Sequence, residues 1–99
     1  MVTFVRTAIA LPGKTADLVA FAKEIAAIAT KTSGKQTSVA MTVGGNGAEV
    51  AWIATFDSLA QFDEARAKLV ADAGYRAIVN KAAAVLLPGS LNDHIWRHV

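Results

Sequence analysis

A chain of 99 residues is read as a single domain over residues 1–99, long enough to bury a core and short enough that covering a sheet face with a partner would help appreciably. Its hydrophobic fraction of 54% contains no apolar run near the ~20 residues a membrane-spanning helix needs, and Val2, Phe4 and Val5 follow the first residue without the regions of a secretory signal, so a soluble, cytoplasmic protein with no membrane partner is expected. The absence of cysteine and a dispersed net charge of +2 exclude disulfides, thiolate metal sites, iron–sulfur clusters and thiol nucleophiles, and argue against a nucleic-acid partner.

From Val2 to Leu11 both parities are largely apolar, which reads as a central strand covered on both faces. Pro12 and Gly13 end it. Thr15 is a plausible N-cap with Asp17 in the first turn, and Leu18, Phe21, Ile25 and Ile28 recur at helical spacing, so a first helix is expected to about Thr32 with Gly34 as its stop. Thr37, Val39, Met41 and Val43 then alternate with small polar residues as a second strand. Gly44, Gly45, Asn46 and Gly47 tolerate positive φ, and alternation resumes at once from Glu49 to Phe56, which makes strands two and three a hairpin. A phosphate-binding loop would instead open a helix and carry a Lys-Ser/Thr pair.

Ser58 followed by Gln61 has the spacing of a capping box, and Leu59, Phe62, Ala65 and Leu69 form an apolar stripe on the helix it starts. Gly74 is read as interrupting that helix, with Tyr75, Ile78, Val79 and Ala82 continuing as a short helix or turn toward Val85, Leu86 and Leu87. Pro88, Gly89 and Ser90 are a stop signal. Leu91 to Val99 supply a last strand with Leu91, Ile95 and Val99 on one face and His94, Trp96 and His98 on the other.

The order strand, helix, strand, strand, helix, strand is the split ferredoxin-like motif, an α+β fold in which both helices lie on one face of a four-stranded antiparallel sheet. The opposite face then needs a cover where it is apolar. Val2, Phe4, Arg6 and Ala8 from strand one, with His94, Trp96 and His98 from strand four, are the candidates for that uncovered face. The parity of strand three that joins them stays open between Val50, Trp52, Ala54 and Phe56 and the pair Ala51 and Ile53. A homodimer closing over this face is the expected assembly.

Phe56-Asp57-Ser58-Leu59 opening a helix, Asp72-Ala73-Gly74-Tyr75-Arg76 after it and Pro88-Gly89-Ser90 before the last strand resemble the dimeric α/β-barrel superfamily, in its antibiotic-biosynthesis-monooxygenase-like or stress-responsive branches. The resemblance covers nearly the whole chain and lies in plan more than in motif. It implies two ferredoxin-like sheets joined face to face in a dimeric α/β barrel around each protomer's pocket. Those branches include cofactor-free oxygenases, polyketide cyclases, lactone isomerases, haem-degrading enzymes and members with no known activity. The haem-degrading members use a histidine on the second helix and an asparagine on strand one; neither is present here, and Trp52 reads as core packing before it reads as a cofactor wall.

His94 and His98 stand roughly 13 Å apart along an extended strand, too far for one metal ion, and Asp93 points to the other face. No metal and no cofactor are expected. No Gly-x-Ser-x-Gly elbow exists, and Ser33, Ser38, Ser58 and Ser90 have turn, strand or cap roles. What remains is a pocket between helices and sheet or inside the barrel, in which His94 acts as acid or base and Arg6, Trp52, Tyr75 and Trp96, or Arg76, orient an anionic or phenolic substrate of small aromatic or polyketide-like kind. The other reading is a non-catalytic dimeric protein binding a small hydrophobic or aromatic ligand, with His94 and Trp96 lining the dimer seam and Arg6 paired with a carboxylate such as Glu49.

Overall fold

In the computed structural model, which describes residues 1–99, the alternating segments become four strands and the 3.6-period segments become helices. Strand β1 is Val2–Ile9, helix α1 Thr15–Ser33, β2 Thr37–Met41, β3 Glu49–Phe56, α2 Leu59–Ala71, α3 Ala73–Val79 and β4 Asn92–Arg97. The sheet runs β2-β3-β1-β4 with every neighbouring pair antiparallel. This is the α+β, ferredoxin-like βαββαβ arrangement. No helix is long and apolar enough to cross a membrane.

Local chemistry explains the helix ends. Gly34 stops α1 at φ 73, where its N–H reaches the Thr30 carbonyl, a left-handed cap that a residue with Cβ adopts only under strain. Ser58 caps α2 through its hydroxyl to the Gln61 N–H at 3.1 Å. The reciprocal arm of the expected box is displaced by one residue, because the Gln61 carboxamide accepts from the Asp57 N–H. Thr15 is not the cap of α1: it is the first helical residue, and Lys14 holds the cap position without a side-chain bond.

The break after α2 also differs from the sequence reading. Gly74 lies inside α3, and the chain turns at Asp72, whose backbone is extended and whose carboxylate accepts the Tyr75 N–H at 2.9 Å. An aspartate N-cap restarts a helix at lower cost than a mid-helix glycine bends one. Beyond α3 a short 3₁₀ turn at Ala82–Ala84 returns to β1, where Leu11 N–H donates to Val85 and Leu87 N–H to Ile9.

Register fixes the faces. Val2, Phe4, Arg6 and Ala8 pair with Phe56, Ala54, Trp52 and Val50, and partners directly opposite in an antiparallel pair project to the same side. Buried Ala8, Val50 and Trp52 pack against Leu18, Phe21, Ala22 and Ala26 of α1, so this is the helix side. The expectation that Val2, Phe4, Arg6 and Ala8 line the uncovered face is thus reversed. The open parity of β3 resolves to Ala51 and Ile53 outward. Val5 pairs with Ile53 and His94, and Thr3 with Thr55 and Trp96, so the uncovered face carries Thr3, Val5, Thr7 and Ile9 beside His94 and Trp96. The physical reason for the reversal is that both parities of β1 are apolar, while Arg6 finds a counter-charge on the helix side.

The interior divides in two. One buried cluster joins Leu18, Phe21, Ala22 and Ala26 to Ala8, Ala10, Val50 and Trp52. The other joins Val2, Ala54, Phe56 and Phe62. A pocket lies between them.

Candidate functional site

The pocket has a volume of about 160 Å³ and is walled by 19 residues, 15 of them hydrophobic. Its floor is the helix side of the sheet: Phe4 and Arg6 of β1 and Trp52, Ala54 and Phe56 of β3. Alanine at position 54 leaves the gap between the larger Trp52 and Phe56. The roof comes from Phe21 and Ile25 of α1 and from Phe62, Ala65, Arg66 and Leu69 of α2, with Tyr75 of α3 closing one side.

The rings that bound this space are locked against one another. Phe4 and Phe62 stand 5.1 Å apart between centroids, Phe56 meets Phe62 edge-on at 5.5 Å, and Phe21 meets Trp52 edge-on at 6.5 Å, spacings at which aromatic pairs attract. Trp52 is anchored further by its indole N–H, which donates to the Ala22 carbonyl at 3.0 Å. Alanine at that helical position lets the indole come so close.

One fixed charge sits in the floor. Arg6 Nε donates to Asp93 Oδ1 at 2.7 Å and a terminal N–H₂ donates to Asp93 Oδ2 at 2.8 Å. This fork grips the carboxylate with both arms. Arg6 and Asp93 are directly opposite in the β1–β4 ladder, so the backbone register itself delivers the partner. The guanidinium also lies 5.6 Å from the Phe4 ring centroid, within cation–π range. The bond to Asp93 holds Arg6 above the ordinary guanidinium pKa, opposed by burial and reinforced by the Tyr75 phenol. The same bond, chiefly, holds the Asp93 carboxyl below its ordinary pKa, with burial opposing and the charges of Arg6, Arg66 and His94 assisting.

Of the residues singled out in the sequence, Arg6, Trp52 and Tyr75 meet at this pocket. His94 and Trp96 do not. They lie on the uncovered face, stacked on each other at 5.8 Å and 22°, with the sheet between them and Arg6. The constellation of His94 with Arg6 and Tyr75 is therefore not assembled within the protomer, because successive strand residues point to opposite faces. Arg76 is occupied elsewhere, donating to the Val70 carbonyl at 3.1 Å. Arg6 pairs with Asp93 rather than Glu49. His98 is bonded to Thr3, at 2.6 Å, and no three His, Asp or Glu side chains cluster as metal ligands would.

Two residues escaped the sequence reading. Asp93 carried a signal in its parity, since it shares a face with Leu91 and Ile95. Arg66 carried one too: it follows Phe62 by four residues and precedes Leu69 by three, so a charge interrupts the apolar stripe of α2.

The family model that matches the chain is NIPSNAP, over residues 6–90. No curated protein matches at a significant level. Among solved structures, an uncharacterised NIPSNAP domain protein from Burkholderia xenovorans superposes with TM-score 0.85 at 17% identity, covering 100% of this chain and 95% of that one. A NIPSNAP family protein from Agrobacterium tumefaciens, described as of unknown function, superposes at 0.84 with 21% identity, covering 100% and 88%. A Pseudomonas aeruginosa protein gives 0.75 at 13% identity over 99% and 93%. At these identities the superpositions establish the fold.

Proposed function

The chain belongs to the NIPSNAP family, and from that premise we propose that it is a homodimeric binding protein for a small, largely apolar aromatic molecule seated between helices and sheet. The observation that carries this reading is the ring-walled pocket of about 160 Å³ lying between two otherwise separate buried clusters. Concave, mostly apolar sites with a few fixed polar groups are where small molecules bind. Binding is favoured over acid–base catalysis because the pocket wall carries no imidazole and Asp93 is engaged by Arg6.

The dimer follows from the other face of the sheet. Val5, Ile9, Ala51 and Ile53 lie there without helices above them, and Trp96 is 60% exposed. A second sheet laid face to face would cover that surface, as in the barrels of the antibiotic-biosynthesis-monooxygenase-like and stress-responsive branches, and would leave each pocket on the outer, helix-covered side.

Ala65→Leu tests the pocket. Ala65 is a half-buried wall residue on α2, and leucine keeps helix propensity while filling the space. In the wild-type protein, toluene should shift the NMR resonances of Phe62 and Ala54, and the filled variant should lose that response. Shifts that persist in Ala65→Leu, or none in the wild type, would refute the site.

A further inference from the structure

We infer that the pocket selects a single-ring aromatic monocarboxylate over its neutral counterpart, with Arg66 supplying the uncompensated charge and the Arg6–Asp93 pair setting the orientation. This rests on the binding reading above and adds to it the charge and size of the ligand.

Size follows from volume. A dry cavity of about 150 Å³ admits a benzene molecule, so a pocket of about 160 Å³ matches one ring with a short substituent. The tilted and edge-on rings of Phe4, Phe56 and Phe62 offer a planar ligand both faces and edges to pack against.

Charge follows from a count of the groups at the polar end. Arg6 and Asp93 form a bidentate pair and cancel. Arg66 lines the same pocket, yet the ion pairs of the protein join Arg6, Lys14, Lys35, Lys68 and Lys81 to carboxylates and leave Arg66 with none. The local sum is one positive charge, which a monoanion neutralises and a dianion oversteps.

Hydrogen-bond polarity agrees with that count. Arg66 is a donor only, as is whatever part of the Arg6 fork Asp93 leaves free. The Tyr75 phenol lines the same pocket and has an O–H to donate to a ligand. The polar end of the pocket thus offers donors and calls for an acceptor, and a carboxylate accepts from a guanidinium in two parallel bonds. Asp93 limits the affinity, since it draws Arg6 away from a competing anion.

The test compares benzoate, benzamide and toluene by NMR titration at low salt and neutral pH. Benzoate should bind about 3- to 10-fold tighter than benzamide, the range of a partly exposed, charge-assisted contact, and the preference should fall with added salt. Arg66→Gln should bring the two ligands to parity, and Asp93→Asn should widen the preference by releasing Arg6. Toluene reports whether the pocket is formed in each variant. Equal binding of benzoate and benzamide by the wild type, or an undiminished preference in Arg66→Gln, would overturn the inference while bound toluene leaves the pocket reading standing. Failure of all three probes would overturn both.

Discussion

Trp52 is the residue on which packing and pocket depend together, and Trp52→Phe measures that dependence. The side chain is 5% exposed, packs edge-on against Phe21 and donates its N–H to the Ala22 carbonyl. Phenylalanine removes about three non-hydrogen atoms of buried ring, worth ~2 kcal/mol at ~0.8 kcal/mol per methylene-sized group. It also removes one neutral hydrogen bond, worth about 1 kcal/mol, because the Ala22 carbonyl keeps a second lone pair for its helical partner. One side of the indole already borders the pocket, so the lost contacts are fewer than in a filled core and the expected destabilisation is about 2–3 kcal/mol. For a domain of this length that corresponds to a melting point lower by roughly 10–20 °C. Urea unfolding followed by far-UV circular dichroism, at one fixed protein concentration so that association does not intrude, gives the value. A variant within ~0.5 kcal/mol of the wild type would show that the indole is neither packed nor bonded as described.

The uncovered sheet face and the Arg6–Asp93 ion pair give two further expectations. Since the protein has two tryptophans, Trp52→Phe leaves Trp96 as sole reporter: its emission should shift to the red on dilution as a dimer separates, and Trp96→Asp should yield monomer or aggregate by light scattering, whereas a wild-type monomer at micromolar concentration would refute the dimer. The folded pKa of Asp93 lies below the ordinary carboxylate value, which is near 3.9 in the unfolded chain, so the stability it contributes is full above the unfolded value and is lost as pH falls through the folded one. The stability difference between wild type and Asp93→Asn, about 1 kcal/mol at neutral pH after allowing for a side chain 41% exposed, should therefore shrink toward zero below about pH 4, and a gap that stays constant down to pH 2 would refute the assignment.

Much of the architecture was legible because periodicity and punctuation agreed along the chain. Gly34, Ser58 and the glycines after Met41 each mark an element end through their own backbone or side-chain chemistry, and Glu49–Phe56 alternates strictly enough that its buried members, Val50, Trp52, Ala54 and Phe56, form one parity. The break between α2 and α3 was less legible, because aspartate is a common surface residue and becomes a cap only when the chain behind it is extended. The pocket's place was one of two readings, between helices and sheet or inside the barrel, and its volume was not legible. It arises where Ala54 and Ala65, small residues on two different elements, line the same space among aromatic neighbours, and sequence alone does not show which alanines share it.

The face assignment of β1 failed for a reason that bears on the site itself. With both parities of the strand apolar, the single charged residue, Arg6, decides how the strand is read, and the cost of burying a lone charge places it on the open face. That cost disappears once the ladder sets Asp93 directly opposite, since a paired guanidinium lying beside the Phe4 ring retains hydrogen-bond partners for its charge. The strand can then turn Val2, Phe4 and Ala8 toward the helices and leave Val5, Ile9 and the threonines to the uncovered side. An arginine kept on the helix side by a neighbouring strand is a polar group fixed in an otherwise apolar wall, which is the arrangement that gives a small-molecule site its direction. The same ion pair that inverted the faces therefore supplies the pocket with its polar end.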